Sequence, residues 1–338
     1  MGPEIHEITT AMNKSFQVEL LSKLQAKDLF ELETIQELWS GYGTIKRYRV
    51  DDSHLGSIII KHVCPPSAAK HPRGWNSKRS HIRKLKSYQV ESAWYREWSH
   101  LCGSGCPVPK CYALESEGSE FYIALEDLDA SGFSARLQSV STPELKVCIK
   151  WLAHFHATFM GAQPKNLWEV GTYWHLDTRP DELEKVQDKL LQRSAKSIDQ
   201  LLNNAQYQTI VHGDAKLANF CFAPDGKSVA AVDFQYVGGG CGMKDLAYLL
   251  GGCLSSKECA KLDESLLDYY FGVLTDALED LQPDLDLGAL ESEWRALYAP
   301  AWADFHRFLK GWSPGHWKLD SYGEKLTNEV IKSLPKFD

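Results

Sequence analysis

Three oxygen-bearing side chains fall within one short stretch, residues 209–235, which reads TIVHGDAKLANFCFAPDGKSVAAVDFQ. An apolar start, Ile210 and Val211, ends abruptly in His212-Gly213-Asp214, and Asn219 follows. A strand-like piece at 220–222, a turn at Pro224-Asp225-Gly226 and a second strand at 229–232 then deliver Asp233, with Phe234 behind it. A hairpin brings its two bases together, so Asp214, Asn219 and Asp233 can converge on one point. Convergent carboxylate and amide oxygens suit a hard cation such as Mg²⁺, held through one or two carboxylates plus substrate phosphates. Lys216 adds a positive charge two residues after Asp214. Each residue also has a plain reading. Asp at a strand end often bonds its own backbone as a turn former, and a lone His-x-Asp is usually structural.

Order and spacing decide between the two readings. His-x-Asp-x-x-x-x-Asn followed by Asp-Phe is the catalytic signature described for protein kinases; here it is His212, Asp214, Asn219 and Asp233-Phe234. Gly213 replaces the Arg of that pattern and Gln235 replaces the Gly of Asp-Phe-Gly. With those departures, HGDAKLANF…VDFQYVGGG resembles the aminoglycoside phosphotransferase and choline-kinase superfamily of small-molecule kinases, and most of all its ecdysteroid-kinase-like (choline-kinase-like) group. The resemblance implies an α+β, protein-kinase-like two-lobe fold: a β-rich N-lobe over 1–128, an α-helical C-lobe over 129–338, and ATP in the cleft. It also implies roles. Asp214 orients the acceptor hydroxyl and takes its proton, Lys216 touches the γ-phosphoryl group, His212 holds the loop's shape, and Asn219 and Asp233 hold Mg²⁺.

The remaining elements must position these groups. Residues 4–39 read as a polar start and then a helix, with Phe30, Leu32, Ile35 and Leu38 on one face. Ser40-Gly41-Tyr42-Gly43-Thr44 precedes strands at 45–50 and 57–63. Gly-x-Gly alone is an ordinary turn; on the resemblance, Gly41 and Gly43 let the backbone close over nucleotide phosphates. Lys61 ends the run Ile58-Ile59-Ile60. It is either a strand-end lysine whose ammonium reaches water or, in the kinase pattern, the contact to the α/β phosphates. Its partner would then be Glu91, on a helix over 88–101. The strand at 121–125 runs into Glu126-Asp127-Leu128, similar to the LEDL ending of small-molecule kinases, where backbone near Glu126 and Leu128 bonds the adenine.

Further helices are expected over 143–160, 180–202, 255–280 and 288–311. His156 is read as a packing residue. Asp245 begins a helix, as an N-cap or, by resemblance, as a brace behind the catalytic loop. The late aromatics Trp294, Trp302, Phe305, His306, Trp312 and Trp317, with Asp304 among them, are core, an apolar pocket, or a cage for a quaternary ammonium. An insert at 65–87 carries Lys70, Arg73, Lys78, Arg79, Arg83, Lys84 and Lys86 without an acid. It reads as a solvated basic face or an attractor of anions.

Composition sets the outer limits. The 338 residues are 43% hydrophobic and 24% charged, ordinary for a globular protein. The net charge of −8 argues against a nucleic-acid binder. No apolar run is long enough to span a bilayer, and the start, MGPEIHEITTAMNKSF, lacks the apolar core of a secretory signal. Nine scattered cysteines suggest reduced thiols and a cytoplasmic setting. Zinc spacing is weak in the cluster His100, Cys102, Cys106 and Cys111; buried free thiols are the stronger reading.

The expectation is therefore an ATP- and Mg²⁺-dependent phosphotransferase acting on a hydroxyl of a small molecule, with a steroid-like, choline-like or aminoglycoside-like acceptor. Two alternatives come from other classes: a nucleotide-binding pseudokinase scaffold, and a metal-dependent hydrolase using His212, Asp214 and Asp233. Water-activating sites usually need more His ligands than this hairpin offers.

Overall fold

The computed structural model describes residues 12–65 and 78–335, the side chains of Ser40 and Lys78 excepted. Lys70 and Arg73 of the basic insert lie outside the described residues. The chain divides into two compact units, residues 1–77 with 110–130, and residues 78–109 with 131–338. The segment 78–109, read from the sequence as part of the N-lobe, is thus grouped with the second unit.

The first unit opens with helix α1, Lys14–Leu24. The Asn13 side chain accepts from the Ser15 N–H at its start, and Gln25 closes it in the left-handed conformation. Phe16, Leu20 and Leu24, four residues apart, form its buried stripe. The helix ends there. Residues 29–37, expected to be helical, form strand β1, Leu29–Glu37. Antiparallel pairing with β2 overrides the helical spacing, although almost all of the strand's side chains are exposed. Phe30, Leu32 and Ile35 are exposed, while Leu38 is buried. Strands β2 (Gly43–Val50), β3 (Ser57–Val63), β4 (Cys111–Glu117) and β5 (Glu120–Glu126) complete an antiparallel sheet in the order β1-β2-β3-β5-β4. Gly41 and Gly43 therefore sit at the β1–β2 connection. A Cβ on Gly43 would lie 2.0 Å from the His62 carbonyl oxygen, so only glycine fits there. Ile58 and Ile60 of β3 pack with Tyr122, Ala124 and the α1 stripe in one core.

The second unit is mainly helical. Its helices are α2 (Lys78–Glu97), α3 (Thr142–Thr158), α4 (Pro180–Glu184), α5 (Lys189–Asn203), α6 (Met243–Cys253), α7 (Ser256–Leu281), α8 (Leu287–Trp312) and α9 (Ser321–Ser333). Ser141 and Glu144 form a capping box on α3, as Ser255 and Glu258 do on α7. The single helix expected over 180–202 is broken. Asp188 accepts from the Leu191 N–H and starts α5 afresh, a side-chain cap competing with helix continuation. Helix α9 was not anticipated. Four short strands carry the loop of interest: β6 (Thr209–Val211), β7 (Phe220–Phe222), β8 (Val229–Ala231) and β9 (Gly238–Gly240). β7 pairs with β8, the expected hairpin, and β6 pairs with β9.

A sheet-bearing unit and a helical unit make the α+β class expected from the sequence. No helix among the described residues is long and apolar enough to cross a membrane.

Candidate functional site

The loop from β6 to β7 is held from behind by one buried carboxylate. Asp245 Oδ2 accepts from the His212 N–H at 2.6 Å, and Oδ1 accepts from the Gly213 N–H at 2.9 Å. His156 Nε2 lies 3.2 Å from the same Oδ2, and Tyr270 Oη is 2.7 Å from His156 Nδ1. All of Asp245 and His156 is buried. Asp245 sits in the first turn of α6, whose N-cap is Gly242, so it braces the loop and does not cap the helix. His156, read as packing, is a hydrogen-bonding member of this support.

Gly213 has φ +78°, and a Cβ there would lie 2.1 Å from the Tyr236 carbonyl oxygen. This close approach explains why the Arg of the protein-kinase pattern is replaced here. His212 Nε2 donates to the Val232 carbonyl at 3.1 Å, because that partner can only accept. Its Nδ1 then accepts from the Asp214 N–H at 3.3 Å. The ring packs 4.7 Å from Phe234, which stacks on Trp94 of α2 at 4.5 Å. His212 ties the two bases of the hairpin together.

Asp214 is the hub. Lys216 Nζ donates to its Oδ2 at 2.8 Å, and Tyr248 Oη donates to its Oδ1 at 3.1 Å. Asn219 Nδ2 donates to the Asp214 carbonyl at 2.8 Å and to Oδ2 at 3.3 Å. Burial pushes the Asp214 carboxyl up; Lys216 opposes this and the nearby Asp233 charge adds to it. Burial works against the Lys216 ammonium, but Asp214 and then Asp233 outweigh it and hold its pKa above the ordinary value. Asp233 thus lies within electrostatic reach of both. It adopts φ +69°, a left-handed conformation that Asp tolerates better than most residues.

The donor set fits a hard cation. The Asn219 amide nitrogen is committed to Asp214, so its Oδ1 is the atom offered to a ligand, and the Asp233 carboxylate stands at the opposite base of the hairpin. Oxygens of this kind suit Mg²⁺.

The other sequence candidates stand as follows. Lys61 is buried on β3, between Ile45 of β2 and Ile123 of β5. Glu91 is buried on α2 in the second unit. Glu126 ends β5; its N–H donates to the Lys110 carbonyl at 2.8 Å and its Oε2 accepts from the Lys110 N–H at 3.1 Å. Leu128 is buried. Between them, Asp127 takes hydrogen bonds from Arg47 Nε at 2.7 Å and Ser57 Oγ at 2.6 Å, an ionic cluster the sequence reading missed.

Several other expectations take definite form. The basic residues of α2 face protein groups: Arg79 pairs with Asp181 at 2.8 Å, Arg83 donates to the Thr178 carbonyl at 3.1 Å, and Lys84 donates to Gln235 at 3.1 Å. Most late aromatics are core. Trp294 Nε1 donates to the Tyr207 carbonyl, His306 bonds Glu324, and Asp304 accepts from Trp174 and Arg307. Metal-ligand atoms within 4.8 Å of one another belong, among the described residues, to His62, Cys64 and Glu120, not to the 100–111 cluster. His62 Nε2 and Glu120 Oε1 already share a hydrogen bond there, at 2.6 Å.

Missed entirely were Tyr248 and Lys318. Tyr248 lies one turn beyond Asp245 on α6, and residues three apart share a helix face; that spacing was the available signal.

The model of the ecdysteroid kinase-like family matches residues 69–173 and 159–283, more than half of the chain. The chain belongs to the ecdysteroid kinase-like family. No curated protein sequence matches it. Among solved structures, this ecdysteroid kinase-like chain is similar to the amicoumacin kinase hAmiN in complex with AMP-PNP, Ca²⁺ and Ami. There the identity is 14%, the coverage is 95% of each chain and the TM-score is 0.47. It is similar to a thermostable mutant of aminoglycoside phosphotransferase APH(4)-Ia in a ternary complex with ADP and hygromycin B, at 13% identity, 94% and 98% coverage and a TM-score of 0.44. It is also similar to a microcompartment-associated aminopropanol kinase, at 11% identity, 94% and 95% coverage and a TM-score of 0.45.

Proposed function

We propose that the protein transfers the γ-phosphoryl group of ATP to a hydroxyl of a small molecule. The observation that carries this reading is the bonding of Asp214: one carboxylate meeting a lysine, a tyrosine hydroxyl and an asparagine amide on a loop braced by Asp245. Asp214 accepts the acceptor's hydroxyl proton, and its burial-raised basicity favours that step. The Lys216 side chain is 40% exposed, free enough to turn from Asp214 Oδ2 towards the transferring group. Asn219 and Asp233 would hold Mg²⁺, which when bound neutralises charge on the phosphates. His212 and Asp245 keep the loop in shape, so the work of the protein is positioning and electrostatics. Lys61 and Glu91 keep the roles the resemblance gives them, phosphate contact and its counter-charge. Gly41 and Gly43 cover the nucleotide, and backbone at Glu126 and Leu128 meets the adenine. Nine cysteines scattered without a repeating frame support a cytoplasmic setting.

The pseudokinase reading predicts nucleotide binding without turnover. The test is a metabolite library incubated with protein, ATP and Mg²⁺ and followed by mass spectrometry. Gain of one phosphoryl group by a hydroxyl compound is expected; ATP binding with no such product would favour the scaffold.

A further inference from the structure

The short segment between α8 and α9 places a lysine where the sequence suggested an aromatic cage. Lys318 Nζ lies 4.6 Å from the ring centre of Tyr248, 5.5 Å from Trp317 and 5.6 Å from Phe305. Tyr248 is the residue whose hydroxyl donates to Asp214. The segment is fixed: the Lys318 N–H donates to His316 Nδ1 at 3.2 Å, and the Leu319 N–H donates to the His316 carbonyl at 2.9 Å. Gly252 of α6 leaves room for the ammonium, since a Cβ there would lie 3.0 Å from Nζ. Among the described residues, Nζ sits over rings and not against a carboxylate. Burial lowers its pKa to about 8; the Cys253 and Asp214 charges raise it and Lys216 lowers it further. Tyr248 thus stands between Lys318 and Asp214, touching both.

Three aromatic faces around a positive charge are the chemistry that recognises an ammonium ligand. Here the chain supplies the ammonium itself. Resting on the phosphotransferase reading, we propose that Lys318 is the resident cation of this cage and confines the acceptor to alcohols without a cationic group. Choline-type and other amino-alcohol acceptors are excluded, because a second ammonium would meet a like charge in a partly desolvated site. The cage walls remain open to apolar contact with an uncharged alcohol.

The test compares two isosteres, choline and its uncharged tert-butyl analogue, by calorimetric titration of the wild type, Lys318→Met and Lys318→Arg. The wild type is expected to bind the uncharged isostere in preference to choline. Lys318→Met should bind choline about tenfold more tightly than the wild type, a ratio typical of a desolvated cation–π contact. Lys318→Arg, which keeps the charge, should still exclude choline. Choline binding to Lys318→Met no tighter than to the wild type overturns the proposal. A wild type that binds choline as tightly as the isostere overturns it too, and this needs no folded variant. Mg²⁺-dependent ATP binding is measured on the same samples. Its absence would count against the phosphotransferase reading while leaving the choline comparison intact.

Discussion

Two lysines stand near Asp214, and the protein treats them in opposite ways. Lys216 donates directly to the carboxylate, and its pKa is held above the ordinary value despite burial. Lys318 lies over aromatic rings, and burial lowers its pKa to about 8. Both are only partly shielded from water, so burial alone does not set the charge. The partner does: a carboxylate compensates a desolvated ammonium more fully than ring quadrupoles can. One lysine is thus held as a cation beside Asp214, and the other rests against aromatic rings with a lowered pKa.

Removing Lys216 breaks the comparison with the largest effect. Lys216→Met should lower kcat by on the order of 10²–10³, as expected for losing one preorganised charge at the transferring group. It should also raise the Asp214 pKa, because an opposing charge is gone. The acid limb of the kcat/KM profile then moves to higher pH. A profile measured in both proteins checks the two together; an unmoved limb would detach Lys216 from Asp214.

The brace comes next. Asp245→Ala leaves two buried N–H groups and His156 without their acceptor, and should cost about 3 kcal/mol of stability. Urea unfolding reads it directly. Gly213→Ala forces a Cβ against the Tyr236 carbonyl in a left-handed backbone. About 2 kcal/mol is expected, with the same measurement. A neutral effect at either position would mean that the loop does not depend on its support.

The smallest effect sharpens the lysine contrast. Lys318 has a folded pKa of about 8 against an ordinary 10.5. Between those values the unfolded chain binds more protons than the folded one, so stability from this group rises with pH across that window. Below about pH 8 the cost of burying the ammonium is fully present. Lys318→Met should flatten the rise. Identical stability–pH curves for the two proteins would place Lys318 in water.

How far the sequence could be read follows from the same physics. Asp214, Asn219 and Asp233 are bound to one hairpin, so their spacing in the chain was their spacing in space. Asp245 was legible as a brace only through the family resemblance, since its place at a helix start reads equally as an N-cap. Tyr248 could have been found from its spacing to Asp245 on α6, whereas Lys318 meets Tyr248 only through tertiary packing of the segment before α9, and no local periodicity records that. Residues 29–37 misled because Phe30, Leu32, Ile35 and Leu38 were read as one helical face. Pairing with β2 decides it for strand, although Phe30, Leu32 and Ile35 remain exposed. Phe305 and Trp317, two of the late aromatics noted in the sequence, lie against Lys318. Lys318 itself belongs to no motif.

The most direct test of the account is phosphoryl transfer by the wild type and Asp214→Asn, side by side, with radiolabelled ATP and the hydroxyl compounds found by the library screen. The account predicts transfer by the wild type, loss of about 10⁴-fold or more in the variant, and Mg²⁺-dependent ATP binding retained by both. Turnover by Asp214→Asn at the wild-type rate would contradict it.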